Sequence, residues 1–514
     1  MTETKYQLIT GSPVNVTDFG ATGDGSTDDT TAIQAALDVG ANNIIEFPAG
    51  TYKLTSPLQL ATSNTTLRGY GATLNMVGTT GGWDADTDYA IVINGDHETQ
   101  QDVIIEGFKF TGSDRWGGIY SAWDEGETGW YGDIFGSVNE DNYTAARPNF
   151  IIRDTEFTSP YYEAINLSNT QVRVSGCRVT DGANSNDIAG IRARFSKDVI
   201  FENIEVVSGS GKSISTSYVD GVHYDNITCR CDAEDDLGLY VGHFNRNTTV
   251  TNCLVAGVGN MAKVSFNADK TTISNSVFEG SGYVMLQGAQ NTTVDGCIIK
   301  STGKRALQLY YHNAYSEGDL DVNNCVVSDC QISSTDTVGE DEDYSLKIVD
   351  LSNANDTLIS NCDIKGNIYA YPVGDVKVQG CRISFTKTGD WAVSKAQQTI
   401  YAKTLSTDHE MGLQIINNKI YTDNDMQPIY LNGNSVDAYV EIVGNLIVAP
   451  SLSGSYPVQQ NYASGGHIIY SNNTVFTPNN TVDEFSYDAS DTSTQDTKIH
   501  SSGPLVSPLN VKDF

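Results

Sequence analysis

The side chains of this chain best placed to do chemistry fall in two stretches, residues 111–148 and 163–310. Glycoside hydrolysis needs two carboxyls, one acting as acid and the other as base or nucleophile. A separation of about 5 Å suits retention, and about 6.5–9.5 Å suits inversion. The candidate carboxyls are Asp236, Asp187, Asp235 and Glu163. Asp235 and Asp236 close the acidic turn Asp232-Ala-Glu-Asp-Asp, directly before the apolar stretch Leu237-Gly-Leu-Tyr-Val. Arg192, Arg194 and Lys263 stand out in a chain with 64 acidic and 30 basic residues. Such cations suit an acidic sugar; in an elimination they neutralise its carboxylate and acidify the neighbouring carbon–hydrogen bond, with Tyr240, His243 or Lys263 as base. Trp116, Trp123 and Trp130, three of the five tryptophans, share one polar insert, where flat rings can stack on pyranose faces. Gln287 and Tyr310 complete the set of binding residues. Each group also has a plainer reading: a solvated turn for the acids, charge compensation for the bases, a packed loop core for the tryptophans.

These residues act together only if the chain stacks them. Segments such as Val172-Arg-Val-Ser-Gly-Cys177, Thr249-Val-Thr-Asn-Cys253, Thr293-Val-Asp-Gly-Cys297 and Leu358-Ile-Ser-Asn-Cys362 share one form: alternating apolar residues, a turn residue, an anchor and a second short strand. The anchor falls at Phe108, Thr155, Cys177, Ile204, Ile227, Cys253, Ser276, Cys297, Cys325, Cys362, Cys381, Asn418, Asn445 and Asn473, with most neighbours 19 to 28 residues apart. Alternation at period two buries one strand face, and recurrence near one coil length piles each coil on the last. The anchor cysteines then read as small buried hydrophobes rather than ligands or bridges. Asn-x-Thr triplets such as Asn247-Thr-Thr and Asn291-Thr-Thr read as turn corners.

Aligning Ile165, Ile191, Ile214, Leu237, Val264, Val284 and Leu307 as one inward position brings the candidates onto one outer face. Asp236 then precedes Leu237, with Lys263 stacked beside it, and Asp187 and Asp236 lie two coils apart, roughly 9.6 Å at a strand spacing near 4.8 Å. That distance makes them the favoured catalytic pair, near the inverting range. A one-residue slip in register would turn any entry of these ladders inward.

Composition and charge exclude several classes. A net charge of −34 opposes nucleic-acid binding, which needs a basic surface. No apolar run of about 18 residues is present, so no membrane insertion is expected. The seven histidines are scattered, Cys229-x-Cys231 has no second pair, and Gly339-Glu-Asp-Glu-Asp-Tyr lacks a calcium-loop pattern, so neither metal nor cofactor is expected. The expected organisation is an N-terminal arm and cap over 1–52 with a helix at 27–38, coils over 53–478 with an insert at 111–148, and residues 479–514 as a tail or an intersubunit element. The helix covers the first open coil, as a solenoid requires.

The run Val14-Asn-Val-Thr-Asp-Phe19-Gly-Ala-Thr-Gly-Asp24-Gly-Ser-Thr-Asp28-Asp29-Thr, then Ala32-Ile33-Gln34, then Phe47-Pro48-Ala-Gly50-Thr-Tyr52 resembles the opening of pectate-lyase-like β-helix proteins. That superfamily includes polygalacturonase-type hydrolases, polysaccharide lyases and the tailspikes of tailed bacteriophages. The resemblance implies an all-β, single-stranded, right-handed parallel β-helix of the pectin-lyase-like kind with an N-terminal capping helix. Asp235-Asp236 resembles the Asp-Asp pair of the hydrolases, although the Asn-Thr-Asp and Gly-His-Gly that accompany that pair are missing here. Because no export signal is visible, the tailspike is the expected member. It implies a homotrimer, assembled in the host cytoplasm, carried on the virion and joined to the phage tail directly or by an adaptor protein. Its expected partner is a host surface polysaccharide (lipopolysaccharide O-antigen, capsule or exopolysaccharide), cleaved by hydrolysis. The competing readings are a lyase for an acidic glycan, a non-catalytic receptor-binding spike, a bacterial pectinase- or alginate-lyase-like enzyme, and a structural shaft.

Overall fold

A computed structural model describes residues 12–78, 88–96, 99–121, 147–231, 237–257, 259–303, 305–310, 312–314, 318–335, 347–352, 354–371, 374–386, 398–404, 411–423, 427–433, 438–450, 452, 457–462, 467–476 and 485–486. The chain forms two compact units, Met1–Gly259 and Asn260–Phe514. Each is a stack of coils in which every coil contributes three short strands, paired in parallel with the coil before and after. In the first unit Thr65–Arg68, Ala72–Val77 and Tyr89–Ile93 make one such set. In the second, Thr357–Ser360, Asp363–Lys365 and Ile368–Tyr371 make another.

The anchor ladder fixes the stacking. The residue after each anchor donates its N–H to the carbonyl of the previous anchor: Glu156 to Phe108 at 2.9 Å, Arg178 to Thr155 at 2.9 Å and Glu205 to Cys177 at 3.0 Å. The second unit repeats the pattern from Ile298 on Ser276 to Thr474 on Asn445. The residue before the anchor is left-handed, as at Asn203, Asn226, Asn252, Asn275, Asn361, Asn417 and Asn472, so the chain turns sharply where asparagine or glycine permits it. Asn247 and Asn291 are left-handed corners too. The run Arg178–Cys231 is extended throughout but turns at left-handed Asp181, Phe195, Asp198, Asn203, Tyr218 and Asn226, so it carries several coils rather than one straight strand.

One anchor differs from the expectation. Val294 pairs with Val327, and Gln331 donates to the carbonyl of Cys297, which makes Cys330 the anchor of that coil in place of Cys325. Cys325 is also buried but follows left-handed Asn324, just as Cys330 follows left-handed Asp329, so the sequence offers two identical-looking corners five residues apart. The eight cysteines whose side chains are described are buried free thiols. Burial raises the Cys177 thiol to about 12, in keeping with a packing role.

The cap is a helix over Thr30–Leu37, starting three residues later than expected. Asp24–Asp28 is drawn into a strand, and the Asp28 carboxylate takes the Thr30 N–H at 3.1 Å. Asp29 is buried and holds the Thr22 and Gly23 N–H groups at 2.7 and 3.1 Å. Ile33, Ala36 and Leu37 face the core, while Gln34 clamps both backbone groups of Gln59 on the first coil (2.8 and 3.1 Å). Among the described residues no helix is long and apolar enough to cross a membrane.

Candidate functional site

One sheet of the first unit departs from the alternating pattern. Thr65–Arg68 and Ala72–Val77 alternate between buried and half-buried residues, as a strand with one wet face should. Tyr89–Ile93, Ile165–Ser168 and Leu237–Gly242 are buried at every position. Their inner face is an aliphatic column, Leu58 on Ile91 on Ile119 on Ile165 on Ile191. From Asn166 onward their outer face is polar and still withdrawn from water: Asn166, Ser168, Ser215, Ser217 and Tyr240 are all buried. A buried polar floor is costly unless each group is matched by a partner.

The centre of this floor is Glu163. It stands just before the strand Ile165–Ser168 and is 4% exposed. Tyr89 donates its hydroxyl to Oε2 at 2.6 Å, and Arg192 Nη1 reaches Oε1 at 2.9 Å. The Tyr89 contact depends on a glycine: Gly117 pairs with Tyr89, and a Cβ there would meet the Tyr89 ring at 2.4 Å. The ring occupies the space that a side chain at 117 would need. Burial, then the Glu163 charge, push the Tyr89 phenol well above its ordinary value, so it stays a proton donor. Tyr120 and Tyr162 stack beside it, at ring centroids of 5.0 and 6.3 Å.

Arg194 lies on the next outward position of the same strand. Asn166 pairs with Arg192, and Ser168 pairs with Arg194. Burial, followed by the charge of Arg192, lowers the Arg194 guanidinium to about 10. Its Nε and the Oδ1 of Asn166, which is only 2% exposed, are buried with no hydrogen-bond partner among the described residues. One unmatched donor and one unmatched acceptor therefore sit on adjacent ladders.

The register corrects part of the expected patch. Leu237 pairs with Lys212 and Leu239 with Ile214, so Tyr240 stacks on Ser215 where the sequence alignment had put Gly238. The alignment slipped by two residues, which keeps the face but moves each side chain along the strand. In the second unit Val264 likewise pairs with Leu286 rather than Val284. The Tyr240 ring has the Lys212 ammonium 5.5 Å from its centroid and His243 edge-on at 6.0 Å. His243 is left-handed and stacks on Tyr218.

The remaining candidates divide as follows. Trp116 is 1% exposed and so is core, not an open platform; its carbonyl accepts the Tyr161 and Tyr162 N–H groups at 2.9 and 3.0 Å. Asp235, Asp236, Trp123, Trp130 and the expected Asp236–Lys263 stack lie outside the described residues, as does the side chain of Asp187. Lys263, Gln287 and Tyr310 belong to the second unit, where Gln287 pairs with Ser265 on one side and Tyr310 on the other. Sequence reasoning missed Tyr89, Gly117 and the role of Asn166. The Tyr89–Glu163 contact spans 74 residues, and nothing local marks it. Among the described residues no three of His, Cys, Asp and Glu gather as a metal site.

Residues 13–113 match the family described as rhamnogalacturonase A/epimerase, pectate lyase-like, and residues 237–370 match the right handed beta helix region. With the coil stacking, these matches show a right-handed parallel β-helix, whose residues 13–113 are similar to pectate-lyase-like proteins. It is similar to the mannuronan C5-epimerases AlgE5 and AlgE2 of Azotobacter vinelandii, each 28% identical over 202 residues, covering 37% of this chain. The chain spans only 18% of the length of those curated relatives. Among solved structures, the enzymatically active domain of tailspike protein 2 of bacteriophage CBA120 is 16% identical, with 72% of this chain and 52% of that chain covered and a TM-score of 0.38. The AlgE4 A-module of Azotobacter vinelandii is 15% identical, with 94% and 100% covered and a TM-score of 0.30.

Proposed function

We propose that the chain acts on an acidic, uronate-bearing polysaccharide at the Arg192–Arg194 face of its first unit, by removing a proton beside the sugar carboxylate. The observation that carries this reading is the unmatched pair, Arg194 Nε and Asn166 Oδ1, beside a carboxylate already committed to Arg192 and Tyr89. A sugar carboxylate on Arg194 and a sugar hydroxyl on Asn166 satisfy both groups. The mannuronan epimerases that share sequence with this chain are named for a uronate polymer, which supports the same substrate class.

Chemically, a guanidinium against the carboxylate stabilises the negative charge that builds up when the adjacent carbon loses its proton. Tyr240 and His243 are the candidate bases on this face. The electron pair left behind has two outcomes. It forms a carbon–carbon double bond as the glycosidic C–O bond breaks and the leaving oxygen gains a proton, or it takes back a proton on the other face. The first outcome is elimination and the second is epimerisation.

Hydrolysis by Asp187 with Asp236 is the second reading. It is favoured by the placement of Leu237–Gly242, the strand that Asp235-Asp236 precedes, in this same sheet. The biological setting proposed from the resemblance of residues 14–52 is a homotrimeric phage tailspike acting on a host surface polysaccharide. Incubating the protein with polymannuronate, polygalacturonate and neutral dextran tests the chemistry. Rising ultraviolet absorbance of unsaturated uronate is the expected result for elimination, and altered sugar NMR signals without cleavage for epimerisation. Reducing ends without absorbance would transfer the assignment to hydrolysis. Product from dextran alone, or no effect on and no binding to either acidic polymer, would overturn the proposal.

A further inference from the structure

The second unit holds another buried carboxylate, built differently. Asp350, on the strand Val349–Ser352, is 1% exposed. Its Oδ1 accepts the Ser352 N–H at 3.3 Å and the Ser352 hydroxyl. Its Oδ2 is shared: Gln308 Nε2 at 3.3 Å, Arg305 Nε at 3.4 Å and Lys347 Nζ at 3.7 Å all converge on that one oxygen. Arg173 has Glu202 and Arg178 has Glu205 at 2.7 and 2.9 Å, and where Arg68 and Arg153 share the buried Glu106 they do so at 2.7 and 2.5 Å, with Glu46 as a second acid for Arg68 at 3.2 Å. Around Asp350 two partly buried cations divide a single negative charge at longer distances. Lys403 adds to the positive field, and burial first, with Arg305 and Lys403 behind it, lowers the Lys347 ammonium.

Aromatic rings flank the two cations. The Lys347 ammonium sits 3.9 Å from the centroid of the Tyr369 ring, and the Arg305 guanidinium 5.9 Å from that of Tyr283. Asp350 pairs with Tyr369, Tyr369 with Tyr401 and Tyr401 with Tyr430, one residue per coil. Their rings stack at 5.2 and 5.7 Å, 12° and 16° from parallel. Because each ring covers the face of the next, the row presents edges rather than faces, and the Tyr401 hydroxyl, which accepts the Asn432 side-chain N–H at 2.9 Å, keeps its own proton to donate. Stacking accounts for the rings but leaves the excess positive charge beside them unmatched among the described residues.

We infer that Arg305 and Lys347, with the Tyr369–Tyr401 row beside them, form a second binding site, for a carboxylate-bearing saccharide. The saccharide carboxylate supplies the negative charge that the described residues do not give the two cations, and its hydroxyls meet the phenol row. The inference takes its ligand class from the function proposed above, but its residues belong to the other unit and take no part in that chemistry.

Calorimetric titration of the full chain with oligomannuronate, and with inorganic phosphate as a simple-anion control, tests the site. The wild type is expected to bind two oligosaccharides per chain. Lys347→Met and Arg305→Gln should each weaken one of the two sites by tenfold or more, while Lys347→Arg, which keeps the charge, should retain both. Arg194→Gln should remove the other site and leave this one. Two sites unchanged in Lys347→Met, or loss of binding in Lys347→Arg equal to that in Lys347→Met, would overturn the inference. Phosphate competing as well as the oligosaccharide would overturn the saccharide assignment. Binding that is lost with Lys347→Met but unmoved by Arg194→Gln would support this site and count against the first. The reverse pattern would do the opposite. Thermal midpoints of the variants confirm that each is folded.

Discussion

Glu163 in the first unit and Asp350 in the second are both buried acids flanked by a cation and a tyrosine, and they solve the same problem in opposite ways. Glu163 divides its two oxygens between two partners at short range, Tyr89 at 2.6 Å and Arg192 at 2.9 Å, and the unmatched atoms lie on its neighbours. Asp350 gathers three donors on one oxygen at 3.3 to 3.7 Å, so the excess lies on its own cations. The Arg192 side chain is 14% exposed, whereas Arg305 and Lys347 are 35% and 22% exposed. Water can therefore share in screening the second cluster and hardly at all the first. A closed pair fixes geometry, which suits a reacting centre. An open, over-subscribed one stays ready for another anion.

The largest expected effect follows from that difference. Glu163→Ala takes the acid away from the buried Arg192 and the acceptor away from Tyr89, and should cost about 3 kcal/mol. Asp350→Ala leaves its cations nearer water and should cost about 1 kcal/mol. Unfolding rates in urea and thermal midpoints measure both. Equal losses would mean that the two clusters do not differ in the way their burial implies.

Next comes Arg194. A guanidinium buried without a full set of partners contributes little to stability, so Arg194→Gln should leave the thermal midpoint unchanged or slightly raised. On an acidic substrate kcat/KM should fall about 30- to 100-fold, or roughly 2–3 kcal/mol of lost interaction. A fall in midpoint with activity retained would make Arg194 a packing residue. Rescue by Arg194→Lys should be partial, because a point charge replaces the two-pronged fork.

How much of this was legible in the sequence depends on the distance over which each feature is written. The coils were legible because each carries its own alternation and its own corner residue, asparagine, glycine or aspartate, all within about ten residues of the anchor. Arg192 and Arg194 were legible because they follow Ile191 at one and three residues along a strand already in register. The alignment slipped by two at Leu237, since period two alone cannot tell one inward position from the next. Cys325 was mistaken for Cys330 for a related reason, two like corners in one segment. Tyr89 and Gly117 were not legible at all. Their meaning exists only when separate coils superimpose, a ring on one filling the space a glycine leaves on the next. Asp350 looked like one more acid in an acidic chain until Arg305 and Lys347 closed around it.

That glycine sharpens the comparison further, because the second cluster has nothing equivalent among its described contacts. Tyr89→Phe removes one hydrogen bond to a charged acceptor and should cost about 1.5–3 kcal/mol. Gly117→Ala puts a methyl group 2.4 Å from the Tyr89 ring and should cost about 1–3 kcal/mol through forced movement. Tyr89→Ala in the Gly117→Ala background removes the ring that clashes, so the double variant should lose less than the sum of its singles. Strict additivity in thermal midpoints would show that the ring does not depend on the vacancy at 117.

The smallest effect is a matter of pH and belongs to Lys347. Its ammonium is held below the ordinary value of 10.5 by burial. As pH climbs through that lowered value, the folded chain sheds a proton that the unfolded chain keeps until about 10.5. The unfolded state then binds more protons, and this group's contribution to stability rises with pH. Anion binding at the second site runs the other way, since it needs the charge that is being lost. Affinity for oligomannuronate at the second site should therefore fall about tenfold across the same window, as for Lys347→Met, because the same charge is lost. Lys347→Arg keeps its charge throughout and should abolish both trends. Stability and affinity moving in the same direction would show that the proton leaving in that window belongs to another group, and that Lys347 does not face the bound anion.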